Sequence, residues 1–593
     1  MTEPITPGTE FGRVISVRGS QARIGMVPSR NVGVVEARAT VGRFVSIRSA
    51  HSIIIAMLTE VSCENLSALD REQYIATASV DLLGEIITMP SGNPRFQRGV
   101  TIYPAIGDIA ATITNQDLRV VYAPSQKDAI NVGNLQQDPS VIAYVDVDEM
   151  LSKHFAVLGS TGVGKSSGVS LLLNEILMAR PNLHVFLLDV HNEYGRCFGD
   201  RSVVVNPRNL RLPFWLFNFE EIVDVFFCGR PGVQEEIEIL SEVIPIAKTI
   251  YTQYQNSERP GLKKLDSKTN LYTLDTPMPY RLADLMALID ERMGKLENRS
   301  SRLTYHRLIS RIETVRNDPR YAFMFENANV GGDTMAEVIS YLFRLPPDGQ
   351  PMTIMQLAGF PAEVVDAVVS VVCRLAFDFG MWSDGASPML FVCEEAHRYA
   401  AADRNIGFGP TRRAVSRIAK EGRKYGVFLG LVTQRPAELD ATIISQCSTL
   451  FTMRLANERD QSLLRSAVSD AAANLLSFVP SLGTREVLAF GEGLALPTRL
   501  RFKELPPHKL PRSEATIASL TDGSVNHDIG FVESVLTRWR GATTHRDNQA
   551  SSPAIPERSP LERVLARPTD APLLQPSLGL DPDRFSLLKK PLR

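Results

Sequence analysis

One eight-residue segment constrains the fold of this 593-residue chain more than any other. Residues 159–166 read GSTGVGKS and fit the phosphate-binding pattern G-x-x-x-x-G-K-[ST]. The apolar segment HFAVL precedes them and a long apolar run follows, so they are predicted to join a strand to a helix. Glycines let backbone N–H groups converge on phosphate oxygens, the lysine supplies a cation and the serine can hold Mg²⁺. The sequence therefore predicts a site for ATP and Mg²⁺ formed by Gly159, Thr161, Gly162, Val163, Gly164, Lys165, Ser166 and Ser167.

The surroundings of this segment predict an α/β fold. A second apolar strand, HVFLLDV, follows the predicted helix, and strand, helix and strand in this order are typical of a parallel sheet covered by helices. Further apolar strand segments come much later, at 353–359, 389–395, 427–433 and 449–455. The intervening residues, 213–345, carry apolar positions at helical spacing and are interpreted as a helical insertion.

The N-terminal part of the chain has a different pattern. Residues 11–113 form short β-rich segments separated by Gly, Pro and Asn, which favours five or six strands in a small barrel or sandwich. In the segment GRFVSIRS the apolar side chains are expected to face a core. The side chains expected to face outward are Arg43, Ser46 and Arg48.

These patterns divide the chain into five predicted parts. They are an N-terminal β-barrel (1–125), the first part of the ATPase core (126–212), the helical insertion (213–345), the second part of the core (346–510) and a C-terminal extension (511–593). The last 43 residues hold eight of the 37 prolines, so we expect no packed core there.

Paired acids end the strand segment PMLFVC. Phosphoryl transfer needs a metal-binding acid and a group that activates water, so Glu394 is predicted to hold Mg²⁺ together with Ser166, and Glu395 to act as general base. Asp189, at the end of the strand HVFLLD, is a further candidate for the metal or water network, with ordinary loop chemistry as the alternative. Gln434, after the strand VFLGLVT, is placed to sense the γ-phosphate.

A local basic segment contrasts with the balanced total charge. The 64 Lys and Arg against 66 Asp and Glu give a net charge of −2, which excludes only nucleic-acid binding through bulk charge. Residues 411–426 hold six basic residues and one acid, and a solvated helix face is the alternative to phosphate contacts. Arg423 is a candidate arginine finger. The predicted DNA-binding residues are Arg412, Arg413, Arg417 and Lys420.

Taken together, GSTGVGKS, LLDVHNEYG, FVCEEAH, RIAKEGRKYG and LVTQRPAELDATIISQCST resemble the HerA family of hexameric DNA translocases, in the FtsK-like branch of the RecA-fold ATPases. The resemblance covers about residues 8 to 510 and implies a RecA-like P-loop core with a small barrel. It also implies that Lys165 and Ser166 bind nucleotide and Mg²⁺, that Asp189 and Glu395 support hydrolysis, and that Arg423 acts across a subunit boundary.

Two departures from the family pattern leave every carboxylate in place. The usual DPHGEY reads DVHNEY, and Glu394 stands where the family usually has Asp. ATP hydrolysis is therefore still expected.

The resemblance implies partners as well. We expect a homo-hexamer with double-stranded DNA in a central channel, and a nuclease or other effector (NurA-like, sirtuin-like or another kind) docked on the barrel face. The nine histidines form no HxH or HNH-like cluster, so any cutting activity is assigned to that partner. DNA-end processing and defence against phage both remain open.

The expected function is ATP-driven translocation along, or unwinding of, double-stranded DNA. One alternative is an ATP-binding ring that assembles and activates a partner effector, and a less favoured one is a secretion-type ATPase that moves proteins. The first residues lack the pattern of a signal peptide and no stretch of about 20 uncharged apolar residues occurs, which predicts a cytoplasmic protein without a membrane partner.

Overall fold

The structure is a computed structural model. It describes residues 8–26, 40–49, 52–62, 76–89, 93–124, 128–256, 272–296, 298–326, 328, 332–405, 407–468, 474–512 and 529–541. The predicted Pro-rich segment 551–593 lies outside the described residues.

The strands are β1 (Glu10–Arg18), β2 (Gln21–Met26), β3 (Phe44–Arg48), β4 (Ser52–Ser62), β5 (Ala76–Thr88), β6 (Pro94–Arg98), β7 (Ile109–Thr112), β8 (Ala129–Leu135), β9 (Ile142–Asp146), β10 (His154–Leu158), β11 (His184–Asp189), β12 (Ser202–Val205), β13 (Met352–Gln356), β14 (Met389–Cys393), β15 (Val427–Thr433), β16 (Cys447–Thr452), β17 (Glu486–Gly491) and β18 (Thr498–Phe502).

The α-helices are α1 (Asn115–Val121), α2 (Val147–Leu151), α3 (Lys165–Ala179), α4 (Phe219–Phe226), α5 (Gln234–Asn256), α6 (Leu282–Gly294), α7 (Arg299–Asn317), α8 (Ala322–Phe325), α9 (Met335–Phe343), α10 (Ala362–Trp382), α11 (Gly409–Glu421), α12 (Ala441–Ile444), α13 (Glu458–Ala467) and α14 (Ile529–Gly541).

Eleven strands form the central sheet, in the order β12-β13-β11-β14-β15-β10-β16-β17-β18-β8-β9. The first seven strands in this order run parallel, and the last four pair antiparallel. The apolar strand segments predicted from the sequence are all members of the parallel part. The predicted α/β fold class is confirmed.

The N-terminal strands close into a barrel. Neighbouring strands follow the order β2-β1-β7-β3-β4-β5, and β2 also pairs with β5, so six strands form a closed antiparallel ring with β6 added beside β5. Its interior is filled by small and branched apolar side chains, among them Ile24, Ile47 and Val80. The barrel expected from the sequence is therefore present.

One orientation predicted for the barrel is wrong. Ser46 was expected to face outward, but only 3% of its surface is exposed, and its hydroxyl donates to the carbonyl of Ala111. The reason is that β3 is covered on both faces: Val45 belongs to the barrel interior, whereas Phe44 packs into the larger core, edge-on to Tyr122. Alternation in the sequence cannot reveal a second covering layer.

Helices α4 to α9 occupy the segment between β12 and β13. Their apolar residues join the same core as the central sheet, including the buried Trp215, Leu285 and Ile312. The exact domain boundaries given above stay predictions. Within the described residues, no helix is both long enough and apolar enough to cross a membrane.

Candidate active site

The carboxyl ends of four adjacent parallel strands bring the predicted site residues together. The P-loop follows β10, Asp189 ends β11, the acids Glu394 and Glu395 follow β14, and Gln434 follows β15. These strands are neighbours in the order β11-β14-β15-β10. Loops after parallel strands meet at one edge of a sheet, which is where ligands bind in this class of fold.

The P-loop turns sharply between β10 and α3. Gly162 and Gly164 adopt left-handed φ values of 79° and 97°, which glycine accepts without steric cost. A Cβ on Gly159 would lie 2.8 Å from that of Met453, so the loop packs tightly against the segment after β16. The loop thus has the shape that a phosphate-binding backbone requires.

Lys165 and Glu395 form a buried ion pair at the centre of the site. The Lys165 Nζ lies 3.2 Å from Glu395 Oε1, and both side chains are less than one-tenth exposed. Glu395 has a left-handed φ of 48°, which is unusual for a residue with a Cβ and turns the chain at the end of β14. Backbone strain of this kind often accompanies a functional position.

The second oxygen of Glu395 is available for chemistry. Its Oε2 is buried and accepts no hydrogen bond from the described residues, although the Nδ1 of His397 lies 3.3 Å away. The same Nδ1 is hydrogen-bonded to Thr433 Oγ1 at 3.0 Å. Burial lowers the pKa of His397, so its ring is neutral near pH 7. A buried carboxylate oxygen without a partner is suited to accept a proton from water.

Glu394 is buried beside a tyrosine that the sequence interpretation missed. Its oxygens accept hydrogen bonds from the backbone N–H of Val190 at 3.2 Å and from the hydroxyl of Tyr194 at 3.3 Å. Burial, together with the nearby carboxylates of Asp189 and Glu193, raises the pKa of Glu394 to about 8. Tyr194 belongs to the segment LLDVHNEYG, so its position in that motif was the available signal.

Asp189 shapes the loop that follows β11. It is fully buried, and its two carboxylate oxygens accept hydrogen bonds from the backbone N–H groups of Glu193 and Tyr194, each at 3.0 Å. Burial raises its pKa. These bonds favour a structural role for Asp189 in the loop, which is the alternative that the sequence left open. Its carboxyl group nevertheless lies close enough to affect the pKa of Glu394.

Gln434 reaches the P-loop directly. Its Oε1 accepts a hydrogen bond from the hydroxyl of Thr161 at 2.5 Å. This contact places the end of β15 against the loop, where a side chain can respond to the outer phosphate.

Arg423 lies at the other edge of the sheet. It belongs to a 3₁₀ turn (Gly422–Tyr425) that precedes β15, whereas the P-loop lies beyond the carboxyl end of the parallel strand β10. Its side chain is exposed and forms no ion pair with any described residue. The structure therefore does not bring Arg423 to the P-loop of its own chain.

The predicted DNA-binding residues differ in their surroundings. On α11, Arg413 pairs with Glu220, and Arg417 pairs with Asp378 at 3.3 Å while lying over the ring of Phe377. Arg412 and Lys420 have no acidic partner among the described residues, and Lys420 is exposed. Half of the predicted basic face is thus partly neutralised within the chain.

The donor set fits Mg²⁺. Hard oxygen ligands are present in the Ser166 hydroxyl and the carboxylates of Glu394 and Glu395, and the free Glu395 Oε2 is unexplained by protein contacts. Within the described part of the chain, no three His, Cys, Asp or Glu residues form a ready-made metal site. This suits Mg²⁺, which is commonly held by few protein ligands together with phosphates and water. The choice of Ser166 and Glu394 as ligands stays a prediction.

Comparison with known proteins agrees with this geometry. A family model described as the central domain of the helicase HerA matches residues 130–376. The DNA double-strand break repair helicase HerA of Pyrococcus furiosus is 26% identical over 530 residues, which cover 81% of this chain and 89% of that protein. Its namesake from Sulfolobus acidocaldarius is 24% identical over 59% of this chain and 65% of its own length.

Among solved structures, VirB4 of Thermoanaerobacter pseudethanolicus is 16% identical, with a TM-score of 0.43 over 64% of this chain and 98% of that one. The sequence relatives and the family model confirm the resemblance inferred from the motifs. The chain is similar to proteins of the HerA family over most of its length and is a P-loop ATPase.

Proposed function

We propose that this protein is an ATP-driven, double-stranded DNA translocase or helicase that works as a homo-hexamer with a partner nuclease or other effector. The observation that carries the proposal is the buried Lys165–Glu395 pair beside the P-loop, with Glu395 Oε2 accepting no hydrogen bond from the part of the chain that the structure describes. Relatives named as DNA double-strand break repair helicases support DNA as the substrate.

The Lys165–Glu395 pair couples nucleotide binding to activation of water. ATP phosphates on the P-loop attract Lys165, which must then leave Glu395 Oε1. Glu395 becomes free to take a proton from the attacking water, while His397, hydrogen-bonded to Thr433, lies 3.3 Å from Glu395 Oε2. Ser166 and Glu394 would hold Mg²⁺, which would supply positive charge against the charge that develops on the phosphates.

The position of Arg423 supports the proposed assembly into a ring. An exposed arginine at the edge opposite the P-loop cannot serve the site of its own chain, but it can reach the ATP of a neighbouring copy in a ring. This arrangement would make hydrolysis depend on assembly.

The DNA contact is proposed for the channel of that ring. Arg412 and Lys420, the two cations on α11 without acidic partners among the described residues, are the strongest candidates for phosphate contacts. Arg413 and Arg417 can contribute only after leaving Glu220 and Asp378. We assign the docking of the partner effector to the barrel.

A ring scaffold that binds ATP without transporting DNA is the second candidate. The internal pairing of Arg413 and Arg417 favours it, because paired arginines attract DNA phosphates less strongly. An unpaired, buried Glu395 Oε2 favours turnover instead.

The active-site assignment is tested by ATP hydrolysis in the Lys165→Ala and Glu395→Gln variants. Each should lower the hydrolysis rate by at least about 100-fold, since each removes a group that acts on the transferred phosphoryl group or on water. Lys165→Ala should also weaken ATP binding, whereas Glu395→Gln should retain it. A rate within about threefold of wild type in either variant would overturn the assignment.

A further inference from the structure

Arg485 adopts a backbone conformation that a long side chain seldom takes. Its φ is +64°, in the left-handed region, where the Cβ of an L-residue is crowded. It lies in the turn before β17, close to the P-loop but outside every motif considered above. Glycine would fill this position without strain, so the presence of arginine calls for a reason.

Backbone bonds fix Arg485 between the P-loop and β18. Its N–H donates to the carbonyl of Val163 at 2.9 Å, and its carbonyl accepts from the N–H of Phe502 at 3.0 Å. A Cβ placed on Gly164 would lie 3.2 Å from Arg485 Cγ. The side chain therefore crosses directly over the last glycine of the P-loop.

Among the described residues, the guanidinium of Arg485 has one weak acidic partner. Arg485 Nη1 lies 3.6 Å from Glu504 Oε2, and the Glu504 side chain is 81% exposed. An exposed pair at this distance contributes little to stability. A contribution to folding stability therefore does not explain why a positively charged side chain occupies position 485.

A cavity opens beside Arg485 at the first turn of α3. The residues that line it include Ser167, Gly168, Phe502, Lys503 and Leu510. Phosphates bound to the P-loop extend from Lys165 towards this first helical turn, so the cavity lies on the side where the nucleoside leaves the loop. Phe502, Leu505 and Leu510 give the cavity an apolar side, and Arg485, Lys503 and Glu504 give it a charged one. This combination suits a nucleoside, because a guanidinium stacks on flat aromatic rings.

The outer wall of the cavity is held in place by the chain after β18. Ser170 on α3 donates to the carbonyl of Lys509 at 2.9 Å, and the N–H of Arg512 donates to the carbonyl of Glu193 at 3.0 Å. Leu505 and Leu510 complete this wall. The cavity is therefore built by three separate parts of the chain.

We propose that this cavity holds the base and ribose of the bound nucleotide, and that Arg485 is a binding residue whose guanidinium covers the nucleoside. The inference rests on the proposed ATPase site at the P-loop. It assigns to that site a nucleoside pocket that the motifs did not predict.

The test uses Arg485→Gly in the full-length protein, with binding of Mg²⁺–ATP and of Mg²⁺–tripolyphosphate measured separately. Glycine accepts the left-handed φ, so the melting temperature should stay the same or rise. We expect ATP affinity to fall by about tenfold or more and tripolyphosphate affinity to change by less than about threefold. Arg485→Asn, whose shorter side chain also tolerates this φ, should give the same ratio of effects.

Two controls separate the possible outcomes. Asp384→Gly replaces a different left-handed residue, which is exposed in the turn after α10, and should leave both affinities unchanged. Lys165→Ala should weaken both ligands, and if it weakened neither, the P-loop assignment itself would fail. If Arg485→Gly bound ATP like wild type, or weakened both ligands equally, the nucleoside pocket would be ruled out.

Discussion

At the scale of single residues, the site is an unusual concentration of buried charge. Lys165, Asp189, Glu394 and Glu395 are all at most 7% exposed. Burying charged groups costs free energy unless they are paired, and Lys165 has only one carboxylate partner among them. The carboxyl groups outnumber the single lysine, and Mg²⁺ would supply positive charge that favours their ionised forms.

Protonation of Glu394 should make the stability of the protein depend on pH. Its pKa in the folded chain is raised to about 8, above the ordinary value of 4.5, so between these values the folded state binds more protons than the unfolded state. Stability from this group is therefore lost as pH rises through that window. The Glu394→Gln variant should not lose this stability. When both proteins are measured without nucleotide and Mg²⁺, the melting temperature of the variant should rise steadily relative to that of the wild type from pH 5.5 to pH 8.5.

The matched control for this experiment is Glu60→Gln, which neutralises an exposed glutamate on β4. Its melting temperature relative to wild type should show no comparable trend with pH. A gap between Glu394→Gln and wild type that stayed constant across the pH range would contradict the account of Glu394.

Site residues that directly follow a predicted strand could be predicted from the sequence. Residues whose role depends on contacts with distant parts of the chain could not. Glu394, Glu395 and Gln434 were found because each follows an apolar strand. The pairing of Arg413 with Glu220, 193 positions away, could not be predicted from the helical spacing of basic residues. Arg485 belongs to none of the motifs found in the sequence. Its left-handed φ and its contacts with the P-loop identify it as a candidate binding residue.

At the scale of elements, the parallel strands were predictable because they are short, apolar and buried on both faces. The barrel was predictable as a type, but β3 was not predictable in detail. Its Ser46 is buried because the wall of the barrel packs against the core that surrounds α1 and β8. A chain segment that contacts two cores does not show simple alternation.

Arg98 fastens the barrel to the central sheet. Its guanidinium on β6 donates to the carbonyl of Gly491, the last residue of β17, and to those of Leu494 and Ala495 in the loop between β17 and β18. Hydrogen bonds from a charged donor contribute about 1.5–3 kcal/mol each, so we expect Arg98→Ala to destabilise the protein by about 2 kcal/mol or more. Urea denaturation would measure the change.

Arg95→Ala is the control for that prediction, because Arg95 is an exposed arginine on the same strand. It should change the free energy of unfolding by less than about 0.5 kcal/mol. Equal effects of the two substitutions would show that Arg98 does not anchor the barrel.

At the scale of the whole molecule, the net charge of −2 is compatible with duplex DNA inside a ring. Only the channel needs a cationic surface, and α11 is the segment proposed to supply it. Acids elsewhere, including the buried group around Glu394, balance the total. The nearly neutral chain is expected to bind DNA through this local surface and to lose that binding as salt rises.

The most direct test of the central claim is the rate of ATP hydrolysis with and without linear duplex DNA, measured over a series of salt concentrations. We expect duplex DNA to raise the rate of the wild-type protein at least about threefold at low salt, and the stimulation to fade as salt increases, because phosphate contacts weaken steeply with ionic strength. Glu395→Gln should show no stimulated hydrolysis at any salt concentration. A wild-type rate that was the same with and without DNA throughout the series would contradict the translocase account and favour the scaffold.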